Sequence, residues 1–149
     1  MSYIRSKRKS ILLLALVLLL FGCTEDKKAN DRDWKLSPTF NVDNLTLHGT
    51  EGKFGIIKAN GESVEPEFPV GEGRKYHVYF LDSAKDFNEK KYKLMATHKD
   101  TGETVELYEL VIEDKQSGAK FFLDKTGLWK IDVVSVDDEQ YTSFIVEAK

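Results

Sequence analysis

The feature that most constrains the fold is an alternation of apolar and polar residues that recurs in short segments. Residues 74–81 (RKYHVYFL) and 128–136 (LWKIDVVSV) alternate most clearly, and the second segment places Trp129, Ile131 and Val133 on one side. Successive side chains of a strand point to opposite faces, so this period indicates strands with one buried face. Turn residues separate the segments at intervals of about 8 to 12 residues, which is typical of an all-β sandwich.

The pattern predicts an antiparallel β-sandwich of seven or eight strands. The predicted strands are residues 44–48, 53–58, 74–81, 92–99, 103–112, 119–123, 128–136 and 141–148. A short Asp-Thr-Gly turn predicts that residues 92–99 and 103–112 form a hairpin, with Val105, Leu107 and Glu109 on one face. The segments 59–73 and 82–91 are predicted to be loops.

The N-terminus has the pattern of an export signal. Four basic residues precede an apolar run at residues 11–21, which ends on Gly22 and Cys23. A basic region, a short apolar region and a small residue at the cleavage site are the marks of such signals. The eleven apolar residues are too few for a membrane span, which needs about 20 in a helix.

The segment Leu20-Phe21-Gly22-Cys23 resembles the lipobox of bacterial lipoproteins, although Phe21 departs from the usual small or β-branched residue. The resemblance implies that residues 1–22 are removed and that Cys23 carries a thioether-linked diacylglycerol. The protein would then be held by this lipid on the outer face of the cell membrane. A single-pass anchor and an ordinary secretory signal cut elsewhere are the alternatives.

Composition limits what the mature chain can be. Removing residues 1–22 leaves 127 residues with 18 basic and 25 acidic side chains, a net charge of −7, which argues against nucleic acid and anionic headgroups as partners. We predict a flexible tether at 23–33 and a single, monomeric domain at 34–149. The only cysteine is Cys23, so the domain must fold without a disulfide.

The sequence offers no recognisable catalytic or metal-binding motif. His48, His77 and His98 lie in different predicted strands without paired-ligand spacing, so we predict no zinc site, no cofactor and no enzymatic activity. Glu65 and Glu67 would share one face of an extended segment. They could form part of a cation site or a solvated, proline-rich edge.

The last third carries a second resemblance. Residues 127–133 (GLWKIDV) and 144–146 (FIV) resemble the closing hairpin of bacterial immunoglobulin-like domains. Together with residues 75–77 and 96–103, the chain is similar to a family of small Bacillus-type lipoproteins of unknown function. The resemblance implies an immunoglobulin-like sandwich without the disulfide of antibody domains, and it brings no catalytic residues.

These observations favour a non-catalytic module that binds an envelope protein or glycan. The candidate binding surface consists of His77, Tyr79, Leu81 and Tyr108, which either form an exposed patch or belong to the core of a sheet whose register is inverted. The first alternative is an accessory domain, similar to protease inhibitors or chaperones, that acts through the 59–73 loop. An envelope metal-binding protein is a further alternative if the three histidines converge.

Overall fold

The computed structural model of the protein describes residues 33–149. The predicted export signal, Cys23 and nearly all of the predicted tether lie outside the described residues. The described part contains nine β-strands: β1 (Phe40–Val42), β2 (Leu45–Thr50), β3 (Phe54–Lys58), β4 (Arg74–Phe80), β5 (Lys91–His98), β6 (Thr104–Val111), β7 (Gln116–Phe121), β8 (Gly127–Ser135) and β9 (Gln140–Ala148). Within residues 33–149, no helix has the length and apolar character needed to cross a membrane.

The strands form two antiparallel sheets that pack as a sandwich, which confirms the predicted fold class. One sheet has the order β1-β2-β3-β4-β7, and the other has the order β6-β5-β8-β9. The predicted hairpin is confirmed, because β5 pairs with β6. The segments 59–73 and 82–90 connect strands as loops, as the sequence predicts, whereas Lys91 already belongs to β5.

The ninth strand is β1, which the sequence analysis missed. It has three residues and pairs with β2, with Val42 opposite Leu45. The turn consists of Asp43 and Asn44, whose φ angles are 47° and 68°. Two such residues between paired strands form the hairpin turn that matches the twist of a sheet. A strand this short has too few residues to display an alternation.

The start of β7 also differs from the prediction. The sequence indicated a turn over residues 115–118, but the strand begins at Gln116, which pairs with Tyr79. The turn is confined to Asp114 and Lys115, with φ angles of 50° and 60°. Pairing along β4 therefore extends the strand through residues that favour a turn on composition alone.

A β-bulge in the β5–β6 hairpin reverses the inward face of β6. The register shifts between Leu94 and Met95, so that Val105 and Leu107 pack against the core in the first half while Leu110 is fully buried in the second. An extra residue in one strand exchanges the two faces beyond it. The prediction that Glu109 shares the face of Val105 and Leu107 is therefore wrong. Glu109 is exposed and lies 3.7 Å from the Lys91 ammonium group.

The core confirms the alternation of β4 and β8. Trp129 is 0% exposed, and its indole Nε1 donates a hydrogen bond of 2.9 Å to the Lys125 carbonyl. Its ring lies 4.8 Å from that of His98, while Val78 and Phe80 of the opposite sheet belong to the same buried cluster. Trp34, by contrast, is half-buried and lies outside this cluster.

One edge of the sandwich is formed by β6 and β7, and the opposite edge is formed by β1 and β9. β6 ends one sheet and β7 ends the other. The turn of Asp114 and Lys115 carries the chain from one sheet to the other, so β6 and β7 lie close together. They belong to different sheets and do not form a ladder. We call this side of the molecule the β6–β7 edge.

Candidate functional site

The structure brings together two of the four residues of the predicted binding surface. His77 is exposed on the outer face of β4, and Tyr108 of β6 is 39% exposed. Both border one cavity at the β6–β7 edge. Tyr79 lies half-buried on the same outer face as His77, and Leu81, just after the end of β4, is also half-buried. Neither residue lines this cavity. Because Tyr76 and the alternate residues of β4 point into the core, the register of this sheet is not inverted.

A large cavity lies at one end of the β6–β7 edge. Its volume is about 570 Å³, within the range of about 300 to 1,000 Å³ that is typical of ligand pockets. The apolar part of its wall is supplied by Val105, Leu107, Phe121, Leu123 and Trp129. The polar rim consists of Glu106, Lys120 and Asp124. We call it the apolar cavity.

Exposed apolar side chains follow the same edge. Phe122 is 52% exposed beside the apolar cavity, and Val111 on β6 is 55% exposed. Among the described residues each edge strand pairs with only one neighbouring strand. Gln116 bonds Glu113 across the turn, while further along each strand alternate backbone N–H and C=O groups face away from the sheet. The edge therefore offers both apolar contacts and main-chain hydrogen bonds.

Two smaller cavities continue the edge on either side of Gly118. One, of about 350 Å³, is bordered by His77, Tyr108 and Lys120. The other, of about 510 Å³, is bordered by His77, Val111 and Gly118. A side-chain carbon added to Gly118 would meet no atom within 4 Å, so the missing side chain leaves open space between the two cavities.

Most of these residues were not predicted from the sequence. Phe122 carried a usable signal, because it is a large apolar residue between the inward-facing Phe121 and Leu123. The cavities themselves depend on β6 and β7 coming together from different sheets, which no local pattern encodes.

The three histidines have separate surroundings. The ring of His48 packs edge-on against Phe68 at 5.2 Å, and burial lowers the pKa of His48, against an opposing effect of the Glu67 charge. His98 is buried and donates from Nε2 to the Thr126 carbonyl at 2.9 Å. Its Nδ1 then accepts a hydrogen bond from the Thr101 amide. Among residues 33–149, no three His, Cys, Asp or Glu side chains are grouped as metal ligands.

The carboxylates of the 59–73 loop bind the protein's own cations. Glu65 lies 2.8 Å from the Arg74 guanidinium group and 3.3 Å from the Lys58 ammonium group. Hydrogen bonds from Arg74, with further ones from the Glu62 amide and Lys58, lower the pKa of Glu65 to about 2. Glu67 accepts a hydrogen bond from the Lys58 amide. The cation site considered from the sequence is therefore not formed by this pair.

The contacts of Glu65 and Glu67 fix the base of the 59–73 loop, while its tip is exposed. The Tyr76 hydroxyl donates to the Glu67 carbonyl at 2.9 Å, and Phe68 is 3% exposed. Val64, in contrast, is 89% exposed. The loop thus combines a fixed base with an apolar residue presented to solvent.

A fourth concavity, of about 240 Å³, lies near the β8–β9 turn and is lined by Tyr92, Tyr141 and charged neighbours. The Tyr141 hydroxyl donates to the Lys53 carbonyl at 2.9 Å. Burial, followed by the Asp82 charge, raises the pKa of Tyr141 to about 12. The Tyr141 hydroxyl is therefore protonated near neutral pH and is used in the hydrogen bond to Lys53, which is a structural contact.

The fold and the edge define the class as a two-sheet antiparallel β-sandwich with an open, partly apolar edge. The chain belongs to the family described as a domain of unknown function, DUF4871, whose model matches residues 25–146. Among solved structures it is similar to a candidate lipoprotein from Bacillus anthracis, with 15% identity and a TM-score of 0.60 over 87% of this chain and 99% of that one. No curated protein shows significant similarity to the chain.

Proposed function

We propose that the protein is a lipid-anchored, extracytoplasmic binding module without catalytic activity, and that it binds an extended segment of an envelope protein along the β6–β7 edge. The observation that carries this proposal is the apolar cavity of about 570 Å³ between two edge strands, with Phe122 exposed beside it. Edge strands bind extended peptides through main-chain hydrogen bonds, and pockets beside them accept alternate side chains.

Two similarities support the cellular location in this proposal. Cys23 stands in a segment that resembles a lipobox, and the similar structure from Bacillus anthracis is itself described as a candidate lipoprotein. An anchor of two acyl chains holds a protein stably at a membrane, whereas a single chain holds it only marginally. The bound partner would therefore be exposed at the same surface.

The strand order supports an immunoglobulin-like relationship within the proposal. β3, β4 and β7 occupy the places of strands A, B and E of that fold, while β5, β8 and β9 occupy those of C, F and G. The strand β6, which follows β5, pairs with it rather than with β7. In this placement β6 and β7 lie side by side at one edge of the sandwich.

The test uses a photo-crosslinking amino acid at single positions in the membrane-anchored protein. We expect position 122 to crosslink to an extended segment of one envelope protein, identified by mass spectrometry. Position 136 is the matched control, because Val136 is also an exposed apolar residue, at 47%, but lies outside the edge. Equal labelling from 122 and 136 would contradict the proposal.

A second candidate function is supported by the firmly held 59–73 loop. Its exposed Val64 could enter the cleft of a partner, as in a protease inhibitor or an accessory domain similar to a chaperone. The same experiment separates the two functions, because this mode predicts crosslinks from position 64 and none from position 122.

A further inference from the structure

Two lysines face each other across neighbouring strands beside the 350 Å³ cavity at Gly118. Lys75 of β4 lies directly opposite Lys120 of β7, and both side chains are exposed. Like charges directly opposite each other destabilise a sheet. An anion bound between the two ammonium groups would offset this repulsion.

The carboxylates that border a cavity together with Lys120 in the described residues are Glu106 and Asp124, on the rim of the apolar cavity. Neither Lys75 nor Lys120 lies within ion-pair distance of a carboxylate among residues 33–149, whereas several other cations do. Cations that do form ion pairs include Lys58, Arg74, Lys91, Lys93, Lys125 and Lys149.

The cavity next to the two lysines is lined without a carboxylate. Lys75, Lys120, His77, Tyr108 and the open backbone at Gly118 surround about 350 Å³. His77 follows Lys75 by two residues on β4, so their side chains share the outer face. The imidazole and the Tyr108 phenol can each donate a hydrogen bond, and the ammonium groups donate charge-assisted ones.

We propose that this cavity is an anion-binding site, in which Lys75 and Lys120 hold a phosphate or carboxylate group and His77 and Tyr108 donate hydrogen bonds to it. The inference goes beyond the proposed function, since it requires neither the apolar cavity nor a protein partner. Both anions present several acceptor oxygens to converging donors. Their source, a phosphate-bearing or a carboxylate-bearing ligand, is decided by experiment.

The probes are inorganic pyrophosphate and citrate, titrated by calorimetry into the lipidated protein in non-ionic detergent. We expect binding of at least one probe, weakening with added salt because the charges are exposed. The double variant Lys75→Gln/Lys120→Gln should weaken it by about tenfold or more. The matched control Lys35→Gln/Lys90→Gln removes the same net charge at exposed positions elsewhere and should bind as the parent does.

A second variant separates loss of the site from loss of folding. Lys75→Glu creates an opposite-charge pair with Lys120, so it should raise the melting temperature while abolishing anion binding. Tighter binding of pyrophosphate indicates a phosphate-bearing ligand, and tighter binding of citrate indicates a carboxylate-bearing one. Binding of neither probe, or equal weakening in the Lys35/Lys90 control, would overturn the site. The crosslinking test at position 122 does not depend on the anion site, so failure of this site would leave the proposed function standing.

Discussion

At the scale of single residues, Trp129 shows how burial and one hydrogen bond combine. Truncating a buried tryptophan to alanine typically costs about 3 to 5 kcal/mol, and Trp129→Ala would also leave the Lys125 carbonyl without its indole donor. Trp34 is only half-buried, so Trp34→Ala should cost much less. The midpoints of denaturant unfolding compare the two. A larger loss from Trp34→Ala would contradict this description of the core.

Glu65 gives a prediction on pH. Its pKa is lowered from 4.5 to about 2 in the folded protein, mainly by hydrogen bonds from Arg74. The stabilisation of the folded protein by the ionised Glu65 is therefore fully present above pH 4.5, and it is lost as the pH falls from there towards 2. Glu65→Gln should flatten the decrease in unfolding free energy over this range. The control is Glu62→Gln, whose side chain makes no ion pair with the described residues, and an identical profile for both variants would count against the role of Glu65.

At the scale of elements, the two-residue turn that leads into β7 contains a strained lysine. Lys115 has a φ of 60°, and this left-handed conformation costs a residue with a side chain about 1 to 2 kcal/mol. Glycine avoids that cost but loses about 0.5 to 1 kcal/mol more in backbone entropy on folding. Lys115→Gly should thus stabilise the domain by up to about 1 kcal/mol, measured as a shift in the urea midpoint. A lower midpoint would show that the Lys115 side chain makes a net stabilising contribution.

Some of the strands could be predicted from the sequence and others could not. β4 and β8 were predictable because seven or more residues alternate against one core. β1 was missed because three residues show no period. The bulge at Leu94 was missed because it depends on the partner strand. The candidate site was partly predictable, because His77 lies on the outer face of β4 as expected. Tyr108 was expected to face away from the core, but the bulge places it on the same side as the buried Leu110. The meeting of His77 and Tyr108 near Gly118 follows from the crossing between sheets.

At the scale of the whole molecule, the predicted boundary at residue 34 can be tested directly. All nine strands of the described part lie after it, and we expect residues 34–149 to fold alone as a monomer. Far-ultraviolet dichroism should show β-structure, and analytical ultracentrifugation should show one chain. A helical spectrum, or failure to fold without the preceding residues, would contradict the boundary.

The anchor is tested by Cys23→Ala. If Cys23 carries the lipid, the variant should lose labelling by radioactive fatty acid, and the protein should remain as precursor or leave the membrane. Cys23 is the only cysteine of the chain, so no other thiol can replace it. Continued labelling of the variant would show that the lipobox interpretation is wrong.

The central claim is that a partner chain binds along the β6–β7 edge, and a lysine placed on that edge tests it most directly. Lysine on an edge strand discourages the addition of another strand. With the crosslinker at position 122, Val111→Lys should reduce the yield of crosslinked partner by about tenfold or more. The lysine charge would have to lose water when a strand is added beside it, and an apolar interaction with the partner is lost. Val136→Lys, at a comparably exposed position, should leave the yield unchanged. Equal yields from both variants would contradict the claim.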